Sequence, residues 1–294
     1  MMRQRTGQRG FLMVGAVILI VVVAFLVVAL SSMLSSNVHT TVNNLGSMQA
    51  LYEAESGLEY GQRQLAVDLD WYRSTTDPVV YPTQTLADGN FMTTVTLPAT
   101  MLRTRIPTAG STASLNVFTT GRFPDAGFLQ IEDDISASGA GEYVQYVSKT
   151  ATTFVLAGAG RNVTIGGVVS VSGAQAHERA SRVYPVTQLR TALPNNCTAL
   201  ASINLDANTK FLGAGNLDIE GEELLYRSSS TSGGTMTLTS VLRCQNGTLS
   251  ASHGIGVPVT PILVDTSGVD FEAEVFSTGT QGNAQRVSPR SVHR

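Results

Sequence analysis

The sequence predicts an α+β chain: a long N-terminal helix, transmembrane at its start, followed by a β-rich head with a duplicated β-module. Three observations carry this expectation. Phe11 to Leu30 is an apolar run without a charge. Helical periodicity then continues to about Ala66 without a proline. Beyond residue 85 the chain turns to short alternating runs bounded by Gly and Pro, and one residue pattern occurs there twice.

The composition agrees. Charged residues make up 14% of the 294 positions, against a usual share of about a quarter, and Gly, Ser and Thr are abundant. Such a mixture suits strands and turns better than soluble helices. A net charge of −3 and a pI near 5.8 provide no basic face, so no nucleic-acid partner is expected.

The apolar run FLMVGAVILIVVVAFLVVAL matches the ~20 residues needed to cross a bilayer core. Arg3, Arg5 and Arg9 precede it with no acidic residue among them, which places that end in the cytoplasm and the rest of the chain across the membrane. Three readings compete. A cleaved secretory signal has a shorter apolar core, of about 7–15 residues. A plain single-pass anchor fits the run but not the helix that continues after it. The third reading rests on Gln8-Arg9-Gly10-Phe11, a basic leader ending in Gly before an apolar helix. This junction resembles the leader cut by prepilin peptidase, with cleavage between Gly10 and Phe11.

After the run, Leu51, Ala54, Leu58 and Leu65 recur at helical spacing, as do Val38, Val42, Leu45 and Tyr52. A continuous helix over 11–66 spans roughly 80 Å. The stretch Gln49-Ala-Leu-Tyr-Glu53-Ala-Glu55-Ser-Gly57-Leu58-Glu59 resembles the matching segment of PilX-type and MshP-type minor pilins and of K-type pseudopilins of type II secretion. The resemblance covers about residues 8 to 66, and Val275 to Arg286 is similar to the closing strand and turn of such heads. It implies a minor, pilin-like subunit that initiates, caps or promotes assembly of a type IV pilus or related filament. The implied partners are other pilin or pseudopilin subunits, the inner membrane and prepilin peptidase. The implied location is the inner membrane with a periplasmic head, then an extracellular filament. Glu53, Glu55 and Glu59 are either a solvated helix face or a subunit contact. One departure bears on position. Counting from Phe11, the fifth residue is Gly15, where major pilins carry the Glu that faces a neighbour's terminal amine. A buried amine needs a partner, so its absence points to the tip.

The expected organisation is therefore a leader (1–10), the pilin helix (11–66, membrane-spanning over 11–30), a linker with the first head strands (67–118), module copies at 119–186 and 187–264, and a closing strand and tail (265–294). Phe91–Leu97 and Leu115–Phe118 read as strands. Copy one runs Phe123-x3-Gly127-x3-Ile131, then Gly141-Glu142-x3-Tyr146. Copy two runs Phe211-x3-Gly215-x3-Ile219, then Gly221-Glu222-x3-Tyr226. About eight extra residues, Asp133 to Ala140, interrupt the first. Each copy continues with an Arg (Arg161, Arg243) and later a His (His177, His253). The second resembles a short β-module of phage tail and bacterial surface proteins, which implies a structural or adhesive role. A surface adhesin that meets a ligand is thus the alternative function.

Catalysis is not expected. The four histidines are far apart in sequence, without metal-ligand spacing to the cysteines. No Gly-x-Ser-x-Gly elbow is present, and Gly158-Ala-Gly160-Arg161 lacks the helix and Lys that a phosphate loop requires. The acidic clusters Glu132-Asp133-Asp134 and Asp218-x-Glu220-x-Glu222-Glu223 read as solvated turns, with Ca²⁺ in the head as the lesser alternative. No other cofactor is implied. Cys197 and Cys244 flank copy two, one before the strand at Ala201–Leu205 and one after the strand ending at Leu242. A disulfide between them is expected in an oxidising compartment.

Overall fold

A computed structural model describes residues 8–67, 74–86, 89–108, 112–132, 141–169, 173–262, 272–281 and 284–293. Helix α1 runs unbroken over Gln8–Val67, 60 residues or about 90 Å at 1.5 Å per residue. It is the one described helix long and apolar enough to cross a membrane, and its apolar window is wholly exposed. Its last third is built into a sheet. That sheet contains β1 (Val79–Val80), β2 (Gln84–Thr85), β3 (Asn90–Thr96), β16 (Glu272–Gln281) and β17 (Ala284–His293), in the order β1-β3-β16-β17 with β2 also on β3. All of its pairs are antiparallel.

The face of α1 against this sheet holds Ala54, Leu58 and Leu65 of the first expected stripe but not Leu51, and none of the second stripe. Leu51 is half-exposed, and Val38, Val42, Leu45 and Tyr52 are exposed. The buried positions are Ala50, Glu53, Ala54, Gly57, Leu58, Gly61 and Leu65, which recur at helical spacing but are mostly Ala and Gly. The reason is close approach. A Cβ on Gly57 would lie 2.0 Å from Ser277 Oγ, and one on Gly279 would lie 2.2 Å from the Ala50 carbonyl oxygen. Thr93 Oγ1 donates to the Gly57 carbonyl oxygen at 2.9 Å, and Leu58, Leu65, Val95, Leu97 and Val275 close the seam. Hydrophobicity alone does not reveal a face made of missing side chains.

The rest of the head is strands, as expected. Its main sheet comprises β4 (Thr100–Met101), β5 (Ser114–Asn116), β6 (Gly127–Glu132), β7 (Glu142–Lys149), β8 (Thr153–Arg161), β9 (Arg182–Gln188), β11 (Gly215–Ile219), β12 (Glu222–Tyr226) and β15 (Pro258–Ile262). The order is β12-β11-β15-β9-β6-β7-β8-β5, with β4 on β9. A smaller sheet has β10 (Leu200–Asp206), β14 (Thr235–Val241) and β13 (Ser228–Ser232). Strands β4 and β5 pair with β9 and β8, so part of the stretch assigned to linker and first strands (67–118) builds the sheet of the first head segment.

Two head segments follow the same pairing. Gly127 to Ile131 face Tyr146 to Glu142 residue by residue, and Gly215 to Ile219 face Tyr226 to Glu222 in the same register. Phe128 pairs with Val186 and Asn216 with Ile262. Leu115 pairs with Phe154 and Ile203 with Leu238. Each segment encloses its own apolar core, one around Leu129, Tyr146 and Phe154, the other around Leu217, Tyr226 and Leu238. Strand β9 serves both: Arg182–Val186 pair with β6, while Thr187 and Gln188 pair with β15.

Candidate functional site

The residues that recur along the sequence converge in space, once in each segment. In the first, Glu142 opens β7, Arg161 closes β8 and His177 lies in the connection to β9. Arg161 Nε donates to Glu142 Oε1 at 2.9 Å and Nη2 to Oε2 at 2.6 Å, the bidentate fork that suits guanidinium and carboxylate. His177 Nε2 lies 2.8 Å from Glu142 Oε2. The amides of Asn162 and Gln175 donate to the same carboxylate at 3.0 and 2.9 Å. The Glu142 side chain is fully buried. Burial alone would push its pKa up. Hydrogen bonds from His177, Arg161 and the Gln175 amide, with the Arg161 charge, outweigh that and hold it down at about 2.

The second segment repeats the arrangement. Arg243 Nε and Nη2 donate to Glu222 Oε1 and Oε2 at 2.8 and 2.6 Å, and His253 Nε2 lies 2.9 Å from Oε2. The Ala251 amide donates to the same carboxylate at 3.2 Å. His253 Nδ1 also faces Glu220 Oε2 at 2.8 Å. Here too burial opposes and the partners prevail, so Glu222 is held below the ordinary carboxylate range. The arginines reach equivalent carbonyls as well, Arg161 that of Pro107 at 2.7 Å and Arg243 that of Pro194. Four residues along the strand from each cluster glutamate, a tyrosine hydroxyl donates to a carbonyl at 2.9 Å: Tyr146 to Pro124 and Tyr226 to Leu212.

These clusters tie structure together: their carboxylates are buried and accept hydrogen bonds on both oxygens. Among the described residues no group of His, Cys, Asp and Glu is arranged to hold a metal ion. The expectation of solvated acidic turns needs correction for copy two. Glu222 and Glu223 are buried, Glu222 in the cluster above and Glu223 accepting from Asn246 Nδ2 at 2.6 Å. Asp133 and Asp134 lie outside the described residues. The histidines distant in sequence meet their partners because strand order, not spacing, brings them together. The one signal available was that Glu, Arg and His recur in the same order in both copies.

Between the segments lies a second acidic group. Burial and the charge of Asp218 push the Glu132 carboxyl up to about 7, against the pull of Arg182. Asp218 is itself raised to about 6, chiefly by burial. Elsewhere the fully buried Lys210 and Asp77 form an ion pair. Lys210 Nζ also lies 4.8 Å from the Phe123 ring centre, which joins the stretch before β1 to both segments.

Cys197 and Cys244 are bonded, with Cα atoms 5.5 Å apart across 47 positions of sequence. The bridge fastens the ends of β10 and β14, where Leu200 faces Val241. Of the acidic residues on α1, Glu55 and Glu59 are exposed, whereas Glu53 is buried, with one carboxylate oxygen packed where a Cβ on Gly89 would be. Gly10 and Phe11 lie in the first turns of α1, where the backbone alone is described, and residues 1–7 of the expected leader lie outside the described residues. Comparison with protein-family models, with curated proteins and with solved structures finds no match.

Proposed function

We propose that this chain is a minor pilin-like subunit that initiates, caps or promotes assembly of a type IV pilus or related filament, near its tip. One observation carries the reading: the division of α1. From Met13 to Leu45 the helix is exposed and rich in apolar side chains, and from Ala50 it is sealed to a sheet. A simple anchor has no need of a rigid helix continuing some 30 Å beyond the bilayer core, whereas a subunit that inserts its helix among others does. Gly15 in place of an acidic residue supports the tip. The subunit is held first in the inner membrane with its head in the periplasm, its leader is removed by prepilin peptidase between Gly10 and Phe11, and its partners are other pilin subunits. The matched registers and matched clusters of the two head segments support a duplication of one β-module. Deleting the gene and counting surface filaments tests the reading. Filament loss restored by the intact chain, but not by one with Gly10→Val, is expected. Normal filament numbers in the deletion strain overturn it.

A second reading makes the head a surface adhesin. It is favoured by the two segments, which build sheets of their own while α1 packs on β3, β16 and β17. Normal filaments with lost adhesion would select it.

A further inference from the structure

The two segments share their pairing, so equivalent positions can be compared for what has changed. In both, an arginine follows the bridge that opens the segment, Leu102 with Val117 and Leu189 with Leu205. Its amide donates 2.8 Å to an asparagine carbonyl, Arg103 to Asn116 and Arg190 to Asn204. In both, the asparagine Oδ1 accepts from a threonine hydroxyl, Thr153 at 3.2 Å and Thr237 at 3.0 Å. The residue two places after the asparagine decides what the arginine does. In the second segment it is Asp206, which pairs with Arg190, while Arg190 Nη1 donates to Thr235 Oγ1 at 2.6 Å. In the first it is Phe118, whose ring centre lies 5.6 Å from the Arg103 guanidinium carbon. The residue two places after each cluster histidine differs as well: Ile255 in the second segment, Arg179 in the first.

In the first segment these changes form a cleft of about 390 Å³ lined by Arg103, Thr104, Asn116, Phe118, Thr152 and Arg179. Among the described contacts neither Arg103 nor Arg179 has a carboxylate partner. Glu178, next to Arg179 in sequence, is engaged by Arg105 at 2.8 Å. The Asn116 amide nitrogen has no acceptor among the described hydrogen bonds. The cleft therefore presents two guanidinium groups and an amide donor, threonine hydroxyls and one half-buried aromatic ring. Guanidinium groups without a carboxylate partner favour an oxyanion, which they bind in paired hydrogen bonds. The volume lies within the range of small-molecule sites, about 300–1,000 Å³, and exceeds what an inorganic anion fills.

We propose that this cleft binds an acidic saccharide, a sugar residue bearing a carboxylate or sulfate group. The arginines take the oxyanion, the amide and hydroxyls take sugar hydroxyls, and the ring lies under the sugar face. The equivalent place in the second segment, neutralised by Asp206, is silent. None of this depends on the filament reading.

The test uses the full chain in detergent, titrated with a heparin-derived hexasaccharide and a hyaluronan hexasaccharide, with maltohexaose as the neutral control. Saturable binding of at least one acidic probe is expected, weakening as salt is raised because the arginines are exposed. Arg103→Gln and Arg179→Gln should each weaken it by about tenfold or more, as expected for charge-assisted hydrogen bonds. Phe118→Asp recreates the pair of the second segment and should weaken it similarly while both arginines remain. Arg190→Gln should change nothing. Should Phe118→Asp fail to fold, Arg179→Gln at an exposed site decides. Absence of saturable binding, equal binding of maltohexaose, or unchanged affinity in the arginine variants overturns the proposal. So does displacement of the sugar by phosphatidylglycerol vesicles at lower concentration than by free sugar, which would assign the cleft to a membrane surface.

Discussion

The two head segments have the same strand registers and the same buried Glu–Arg–His cluster, yet they are reinforced differently. The second carries the disulfide and a two-residue hairpin, Glu220-Gly221, both with positive φ, the geometry of the tight turn that best matches strand twist. The first has Asn162 where the second has Cys244, both in the left-handed region at φ 50 and 55, and its corresponding hairpin is interrupted by residues 133–140. What is common to both is the ion cluster and the tyrosine four residues along the same strand. The clusters thus brace both segments, whereas a disulfide and a tight turn reinforce the second alone.

Breaking the clusters should have the largest effect. Glu142→Gln and Glu222→Gln each remove a charge from beneath a buried arginine, which costs about 3–5 kcal/mol. Limited proteolysis should find the first segment opened by Glu142→Gln more than the second by Glu222→Gln, because only the second is also cross-linked. Equal opening would refute the division of labour. Acid should act in the same way. Glu142 titrates at about 2 in the folded chain against 4.5 ordinarily, so its stabilisation is complete above 4.5 and lost as pH falls towards 2. A pH series of melting curves should lose that component in Glu142→Gln.

Removing the disulfide should come next. Cys197→Ser together with Cys244→Ser releases a closed loop of 47 positions' separation, worth about 4 kcal/mol on the chain-entropy model. The second segment should then match the first in protease resistance. Two reactive thiols in unreduced, unfolded protein would remove the basis of the comparison.

A control outside both segments is Gly57→Ala, where the added carbon meets Ser277. Overpacking there should cost about 1–3 kcal/mol and expose sites in β16, while cleavage within the two segments stays unchanged. The smallest expected effect concerns their junction. Glu132 is raised to about 7 in the folded chain, so between 4.5 and 7 the folded state binds a proton that the unfolded state has lost. Stability from this group therefore falls as pH rises through that window. Glu132→Gln should flatten the decline and, at pH 8, raise the melting temperature by a few degrees, about 1 kcal/mol after allowance for solvent exposure.

Much of the fold was legible in the sequence because its signals are local. The apolar run, the alternation at Phe91–Leu97 and the cysteines flanking a strand pair each depend on neighbours in the chain. The helix seam was read only in part: Ala54, Leu58 and Leu65 lie in it as expected, but Ala50, Gly57 and Gly61 score as weakly apolar, although their smallness is what the sheet needs. The ion clusters were missed for another reason. Glu142 and His177 are 35 positions apart, and nothing but the order of β6, β7, β8 and β9 brings them within 2.8 Å. Recurrence of the triplet marked the residues without saying what they touch. The arginine cleft was invisible until register aligned Phe118 with Asp206.

The seat of α1 has a consequence for the order in which the chain is made. The helix is synthesised first, but two of the three strands it packs on, β16 and β17, follow it by about 200 residues. Until those strands are made, Ala50 to Leu65 thus have no complete surface to lie against. Contacts between stretches so far apart form late and slowly. A chain that stops before residue 272 lacks both β16 and β17 and leaves the helix only β3 to pack on.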